Sequence, residues 1–234
     1  QHLEGGIIEE LLVRDGDRVE VGEALLTLQE TASLAVRDEL LQEIATLTGS
    51  QQRLAALRDG LDEPDFSPLD ELGLSAAQRV AVVTRQGDLF RQQKQSFEAD
   101  IAVLTARRDG ARSSRELQAQ QIRVTQRVLA AAEDQRSLLR DRYERQMARL
   151  DEVRGMERDV AALEADISRL RTDAQQAATL EQDLDGQIAQ TEAAFLRQIS
   201  ADQLEVRSQL EQAGERLSAA QDVLNRSVVV APVA

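Results

Sequence analysis

The chain has no cysteine and no tryptophan, and only one tyrosine, one histidine and one lysine among 234 residues. The missing cysteine excludes disulfide frameworks, thiolate metal sites and cysteine nucleophiles. Four Phe and one Tyr bring aromatics to 2%, too few for the aromatic-rich core of a single compact domain. No stretch of 18 apolar residues occurs, so nothing reads as a membrane-spanning helix. Acidic residues outnumber basic ones 42 to 28, a net charge of −14. Nucleic-acid binding needs a basic stripe, so nucleic acid is excluded as a partner. There is no Gly-rich phosphate loop and no nucleophile elbow. The lone His2 lacks the convergent partners of a catalytic or metal site. Asp15, Asp17 and Glu20 lack the spacing of a calcium loop and read as turn residues. The expectation is a protein that is not an enzyme and carries no cofactor or metal.

What is present is helix former. Ala, Leu, Glu, Gln and Arg dominate, the profile of long helices and coiled coils. Residues 1–31 differ. Ile7-Ile8 and Leu11-Leu12-Val13 are apolar runs, Asp15-Gly16-Asp17 and Gly22-Glu23 are turn signals, and Val19, Val21, Leu26 and Leu28 alternate with polar residues. That pattern predicts three or four short strands. Strand-like sequence returns at the end, in SVVVAPVA over residues 227–234.

Residues 32–226 between these ends are expected to be a coiled-coil domain. A first helix is predicted over 33–62 from Leu40, Leu47, Leu54 and Leu61, spaced by seven. Pro64, Pro68 and Gly73 define a linker over 63–74. Ser75-Ala-Ala-Gln78 has capping-box form and opens a second helix, predicted over 75–146. Its core row, Val83, Phe90, Phe97, Leu104 and Ala111, gives way to a second frame through Ile122, Leu129, Tyr143 and Leu150. Gly110 lies near this shift, so a small kink or frayed turn is expected there. A third helix is predicted over 152–226. Val153, Val160 and Ile167 form one of its rows and Met156, Leu163, Leu170 and Leu184 the other, with a four-residue phase jump before Ile199.

Helices two and three each come to roughly 110 Å at 1.5 Å per residue. Equal lengths suit an antiparallel hairpin with its tip at 147–152. The shorter helix one is expected along the base of that hairpin, the linker running back to helix two; a collinear arrangement of helices one and two is the alternative. The Ala-rich flanks Ala130-Ala131-Ala132, Ala177-Ala178 and Ala193-Ala194 suit close approach of another helix.

The opening segment resembles a known pattern. His2, Leu3, Glu4, Gly5, Gly6, Val13, Gly16, Asp17, Val19 and Gly22, with Leu26, match the first lipoyl half-motif of the HlyD-type membrane fusion proteins, the periplasmic adaptors of type I secretion systems. The closing RSVVVAPVA resembles that family's return into the second lipoyl half. The resemblance implies a mostly α fold: a long antiparallel coiled-coil hairpin with a third helix, inserted into a split β lipoyl-like (biotinyl/lipoyl) domain. Its halves here would be residues 1–31 and the start of the second over 227–234. A lipoyl carrier role would need a Lys on an exposed hairpin, and Lys94 lies deep in helix two.

The resemblance also implies partners. These are an inner-membrane ABC transporter, a TolC-like outer-membrane channel, a secreted protein substrate such as a protease, lipase or RTX protein, and further copies of the chain, a hexamer in the assembled system. The chain would stand in the periplasm. The first residue is Gln rather than Met, so an N-terminal inner-membrane anchor is expected upstream. The channel-docking candidates are the tip residues Arg145, Arg149, Leu150, Asp151, Glu152 and Arg154. Arg149-Leu150 matches the Arg-Leu pair of related efflux adaptors, whereas Arg154 stands where those often carry Ser. An adaptor of a tripartite drug-efflux pump is the second reading, and a plain coiled-coil scaffold the third.

Overall fold

A computed structural model describes residues 8–13, 18–29, 31–226 and 228–231. In chain order the elements are β1 (Ile8–Leu11), β2 (Ala24–Leu28), α1 (Thr31–Arg58), a 3-10 helix (Ser67–Leu72), α2 (Ala76–Glu144), α3 (Leu150–Asn225) and β3 (Val228–Val230). The chain divides into two units, Gln1–Gln95 with Phe195–Ala234 and Ser96–Ala194, and α2 and α3 contribute to both.

In the first unit the two ends of the chain meet in one antiparallel sheet of order β1-β2-β3. Leu11 stands opposite Leu26, and Ala24 opposite Val230. The turn before β2 is closed by Glu23, whose N–H donates to Glu20 O and whose carboxylate accepts from the Glu20 N–H. Gly22 takes φ +86° there, a conformation that costs a residue bearing a Cβ. The Gly22 N–H donates to Ala231 O, and the Ala231 N–H donates to Glu23 O at 2.8 Å. Two strands, rather than three or four, form before α1 among the described residues. Val19 and Val21 lie outside them and are exposed.

Within this unit α1 packs with parts of α2 and α3. Ala45 packs with Val82, Arg53 Nε donates to Gln86 Oε1 at 2.9 Å, and Lys94 Nζ donates to Leu61 O at 3.1 Å. The offset between partners stays nearly constant, so α1 and α2 run parallel and side by side. Glu43 pairs with Arg216 at 3.6 Å, and Leu54 and Leu57 share a core cluster with Phe90 and Ile199. There the sums of partner numbers are nearly constant, so α3 runs antiparallel to α1. Helix one thus lies alongside helix two and is not collinear with it. Burial pulls the Arg53 guanidinium below its usual value, with Asp202 opposing the shift.

The linker is structured. Leu69 of the 3-10 helix is buried against Ala45 and Val82, with Phe66, Leu72 and Leu74 around it. Asp65 starts that helix by accepting from the Ser67 N–H and hydroxyl, which holds its carboxyl below the usual range. Ser75 and Gln78 exchange the two bonds of a capping box.

In the second unit α2 and α3 form an antiparallel pair. Arg108 meets Asp185 at 3.5 Å and Arg115 meets Glu181 at 3.3 Å. Buried and half-buried positions of α2 recur alternately every three and four residues from Leu104 to Leu139; those of α3 do the same from Val153 to Thr191. This is one uninterrupted heptad seam on each helix. The expected change of frame in helix two is therefore corrected. Ala111 and Ile122 belong to the two rows of a single seam, and apolar residues pass from one row to the other while Arg108, Arg115, Gln118 and Thr125 fill the vacated places. Helix α2 continues through Gly110 without a break. Leu150, expected on the frame of helix two, is the first residue of α3. The four-residue jump in α3 falls at Phe195 and Ile199, where Ile199 packs with Leu54 and Leu57 of α1 as well as with Phe90.

Candidate functional site

The hairpin tip is built by two caps. At the end of α2 the Gln146 N–H donates to Tyr143 O at 2.9 Å and the Met147 N–H to Arg142 O at 2.8 Å. Together these are the paired bonds of a Schellman motif. Gln146 occupies the left-handed position, φ +60°, which glycine usually fills. The start of α3 has half a capping box. The Glu152 carboxylate accepts from the Arg149 N–H at 3.0 Å, but Arg149, standing where Ser or Thr would be, has no side-chain acceptor to return the bond. Its guanidinium instead pairs with Asp151 at 3.1 Å. Asp151 and Glu152 place negative charge in the first turn of α3, where the helix dipole favours it.

The turn presents a mixed surface. Arg145, Arg149, Leu150, Asp151, Glu152 and Arg154 are all exposed and lie within two turns of the bend. Val153 is buried between the helices and fixes the first turn of α3 from below. Met147 is 76% exposed, the most exposed large apolar side chain among the described residues, and Tyr143 and Leu150 are also open. Met147 was not singled out from sequence. Its signal is a flexible thioether set among Arg145, Arg149 and Asp151. An open groove over the first turns of α3 is lined by Arg149, Leu150, Asp151, Arg154, Glu157 and Arg158. Such a surface offers two apolar contacts ringed by charges of both signs. That suits contact with a protein surface.

Of the opening motif, His2, Leu3, Glu4, Gly5, Gly6, Gly16 and Asp17 lie outside the described residues. Val13 is half-buried after β1, Val19 is exposed before the turn, and Gly22 makes that turn. Among the described residues no group of three or more His, Cys, Asp or Glu could hold a metal ion. Among them, too, no helix is long and apolar enough to cross a membrane.

A long antiparallel hairpin with a charged, apolar-tipped turn and a third helix at the opposite end from that turn in sequence defines a class of helical-hairpin proteins. Residues 33–223 match the family described as AprE, long alpha-helical hairpin, and the chain belongs to it. The type I secretion system membrane fusion protein PrsE of Rhizobium meliloti is 27% identical over 240 residues, covering 100% of this chain and 53% of PrsE. The alkaline protease secretion protein AprE of Pseudomonas aeruginosa is 40% identical over 80 residues, 31% of this chain and 18% of that protein. The chain thus spans about half the length of the first of these relatives. The crystal structure of the soluble domain of LipC, a membrane fusion protein of a type I secretion system, shares the fold. Its TM-score is 0.91 at 22% identity, covering 97% of this chain and 86% of that one.

Proposed function

We propose that this chain is the hairpin portion of a periplasmic adaptor of a type I secretion system. The adaptor bridges an inner-membrane ABC transporter and a TolC-like outer-membrane channel, so that a polypeptide such as a protease, lipase or RTX protein leaves the cell in one step. The observation that carries this reading is membership of the AprE hairpin family across α1, α2 and α3. The separate α1, packed on α2 and α3 in the first unit, favours the secretion reading over a two-helix efflux adaptor.

In this reading the tip is the docking end. Leu150 and Met147 seat in apolar depressions between channel helices, and Arg145, Arg149, Asp151, Glu152 and Arg154 set the orientation by charge. The pairing of β3 with β2 supports a split lipoyl-like domain closed by the two chain ends. Several copies, six in the assembled system, surround the export path. The protein stands in the periplasm and is held to the inner membrane by a segment N-terminal to this chain. The sheet's role is structural, with no cofactor attached.

The test is a secretion assay with Leu150→Asp in the full-length protein. Truncating a central apolar contact of an interface costs about 2 kcal/mol or more. Secretion should fall at least about tenfold while protein level and helicity stay unchanged. Secretion at the parental level would remove the tip from the docking role.

A further inference from the structure

The second unit carries a second seam that the hairpin does not use. On α2, Leu117, Val124, Val128 and Leu138 are each 50–60% exposed. With Gly110 and Ala131 they fall on two adjacent rows, recurring every three and four residues, about 110° around the helix from the seam that packs on α3. From 110 to 138 no position of this face is charged, and every one is exposed. All other outward rows of α2 in this stretch carry Asp, Glu or Arg, among them Glu116, Arg127 and Glu133. A regular aliphatic seam on an exposed helix face is the pattern of helix–helix packing.

The chain itself contains the matching surface. On α3 a single face lacks charge, running from 161 to 189 through Ala161, Ala165, Ser168, Thr172, Gly186 and Ala189, and all of it is exposed. Its neighbouring rows carry Glu157, Glu164, Arg169 and Asp183. Desolvating unpaired charges is costly, so these are the two faces of the pair that can dry against another helix. The first sets Leu117, Val124, Val128 and Leu138 among Ser114, Gln121 and Gln135; the second is small at Ala161, Ala165, Ser168, Gly186 and Ala189 and polar at Gln175 and Gln182, so the valines of the first fit over its small residues. The heights agree as well. The ion pairs of Arg108 with Asp185 and Arg115 with Glu181 set the antiparallel register, which places 110–133 of α2 level with 161–184 of α3. At 100° per residue the two faces look outward in directions ~140° apart, on opposite edges of the pair.

We infer that the Leu117–Leu138 face of α2 packs on the Ala161–Ala189 face of α3 from a second copy standing at the same height. The contact is heterologous: each copy gives one face and receives the other, and the shortfall from 180° makes successive copies curve. The contact is also small. The level stretches make a strip ~35 Å long and ~10 Å wide that covers about 350 Å² per copy, under half the standard interface. Association through it is weak unless copies are gathered by other contacts. The inference rests on the multi-copy reading proposed above and assigns its surface.

The cysteine-free sequence gives a clean test. Val124→Cys with Ser168→Cys places one thiol on each face at matching height, too far apart to join within one copy. The chain at several hundred micromolar, or the full-length protein in its membrane, is oxidised and resolved by mass. The expected result is a ladder of dimers, trimers and larger species, formed about tenfold faster than for Val124→Cys with Asp166→Cys on a charged face. Adding Leu117→Glu should suppress the ladder with helicity unchanged. A single Val124→Cys variant that gives dimers as readily as the pair would mean that α2 faces α2, overturning the inference. Oligomers of native mass without the 124–168 ladder would reject this face while leaving the multi-copy reading intact.

Discussion

At the residue scale, glycines mark where the helices are tight and where they are loose. Gly49 of α1 faces α2, and a Cβ there would lie 2.8 Å from Val82 Cγ1 and 3.1 Å from Gln86 Cγ. Both neighbours are buried, so neither has room to withdraw. Gly49→Ala should therefore destabilise the first unit by about 1–3 kcal/mol, read as a fall in Tm and in denaturant midpoint. Gly110 of α2 is the opposite case: nothing lies within 4 Å of a Cβ placed there and the helix is regular through it. Gly110→Ala should stabilise by about 1 kcal/mol. Equal effects of the two substitutions would contradict the close approach of α1 to α2. Neither difference was legible from sequence, because a glycine's helical address does not reveal what faces it. The tip was weakly legible for a related reason. Its left-handed residue is Gln146 where glycine would have signalled the turn, and its N-cap is Arg149 where Ser or Thr would have done so.

At the element scale, two long helices of matched length spell out the hairpin in the sequence, whereas the seam between them is masked. Periodicity reasoning follows apolar residues. Between Leu104 and Ile122 the seam holds Arg108, Arg115 and Gln118, so the apolar signal changes row and imitates a break. The two arginines fix register. Arg115 pairs across the seam with Glu181, whose side chain is 17% exposed, and the pair resists sliding because a slip would leave a largely buried carboxylate alone. Arg115→Leu alone should destabilise the second unit, and adding Glu181→Leu should recover most of the loss. A double-mutant cycle by thermal unfolding would give a coupling of about 1–3 kcal/mol. Additive losses would mean that the pair is a surface contact without a role in alignment. The linker shows another limit of legibility. Its prolines announced the break, but the burial of Leu69 against Ala45 and Val82 depends on partners far away in sequence.

At the scale of the whole molecule, a sheet made from both chain ends requires the helical excursion to return to its origin. Spin labels at Thr31→Cys and Arg226→Cys should give a narrow distance distribution within about 30 Å, since β2 and β3 are adjacent strands. This plan was the most legible feature of all, because strand-like ends flanking heptad sequence state it directly. The mixed surface of the tip was legible in composition. Its exposed Met147 was not, since exposure at a bend depends on where each cap ends its helix. The claim that joins fold to function is that this tip meets an outer-membrane channel. The most direct measurement places a photoreactive amino acid at Met147 in the full-length protein, in cells that express the secretion system, with Leu204 of α3, exposed but remote in sequence from the tip, as the control position. The expected result is a cross-linked adduct with the channel from position 147 and none from position 204. Adducts from both positions alike, or none from 147 while cargo is being exported, would contradict docking through the hairpin tip.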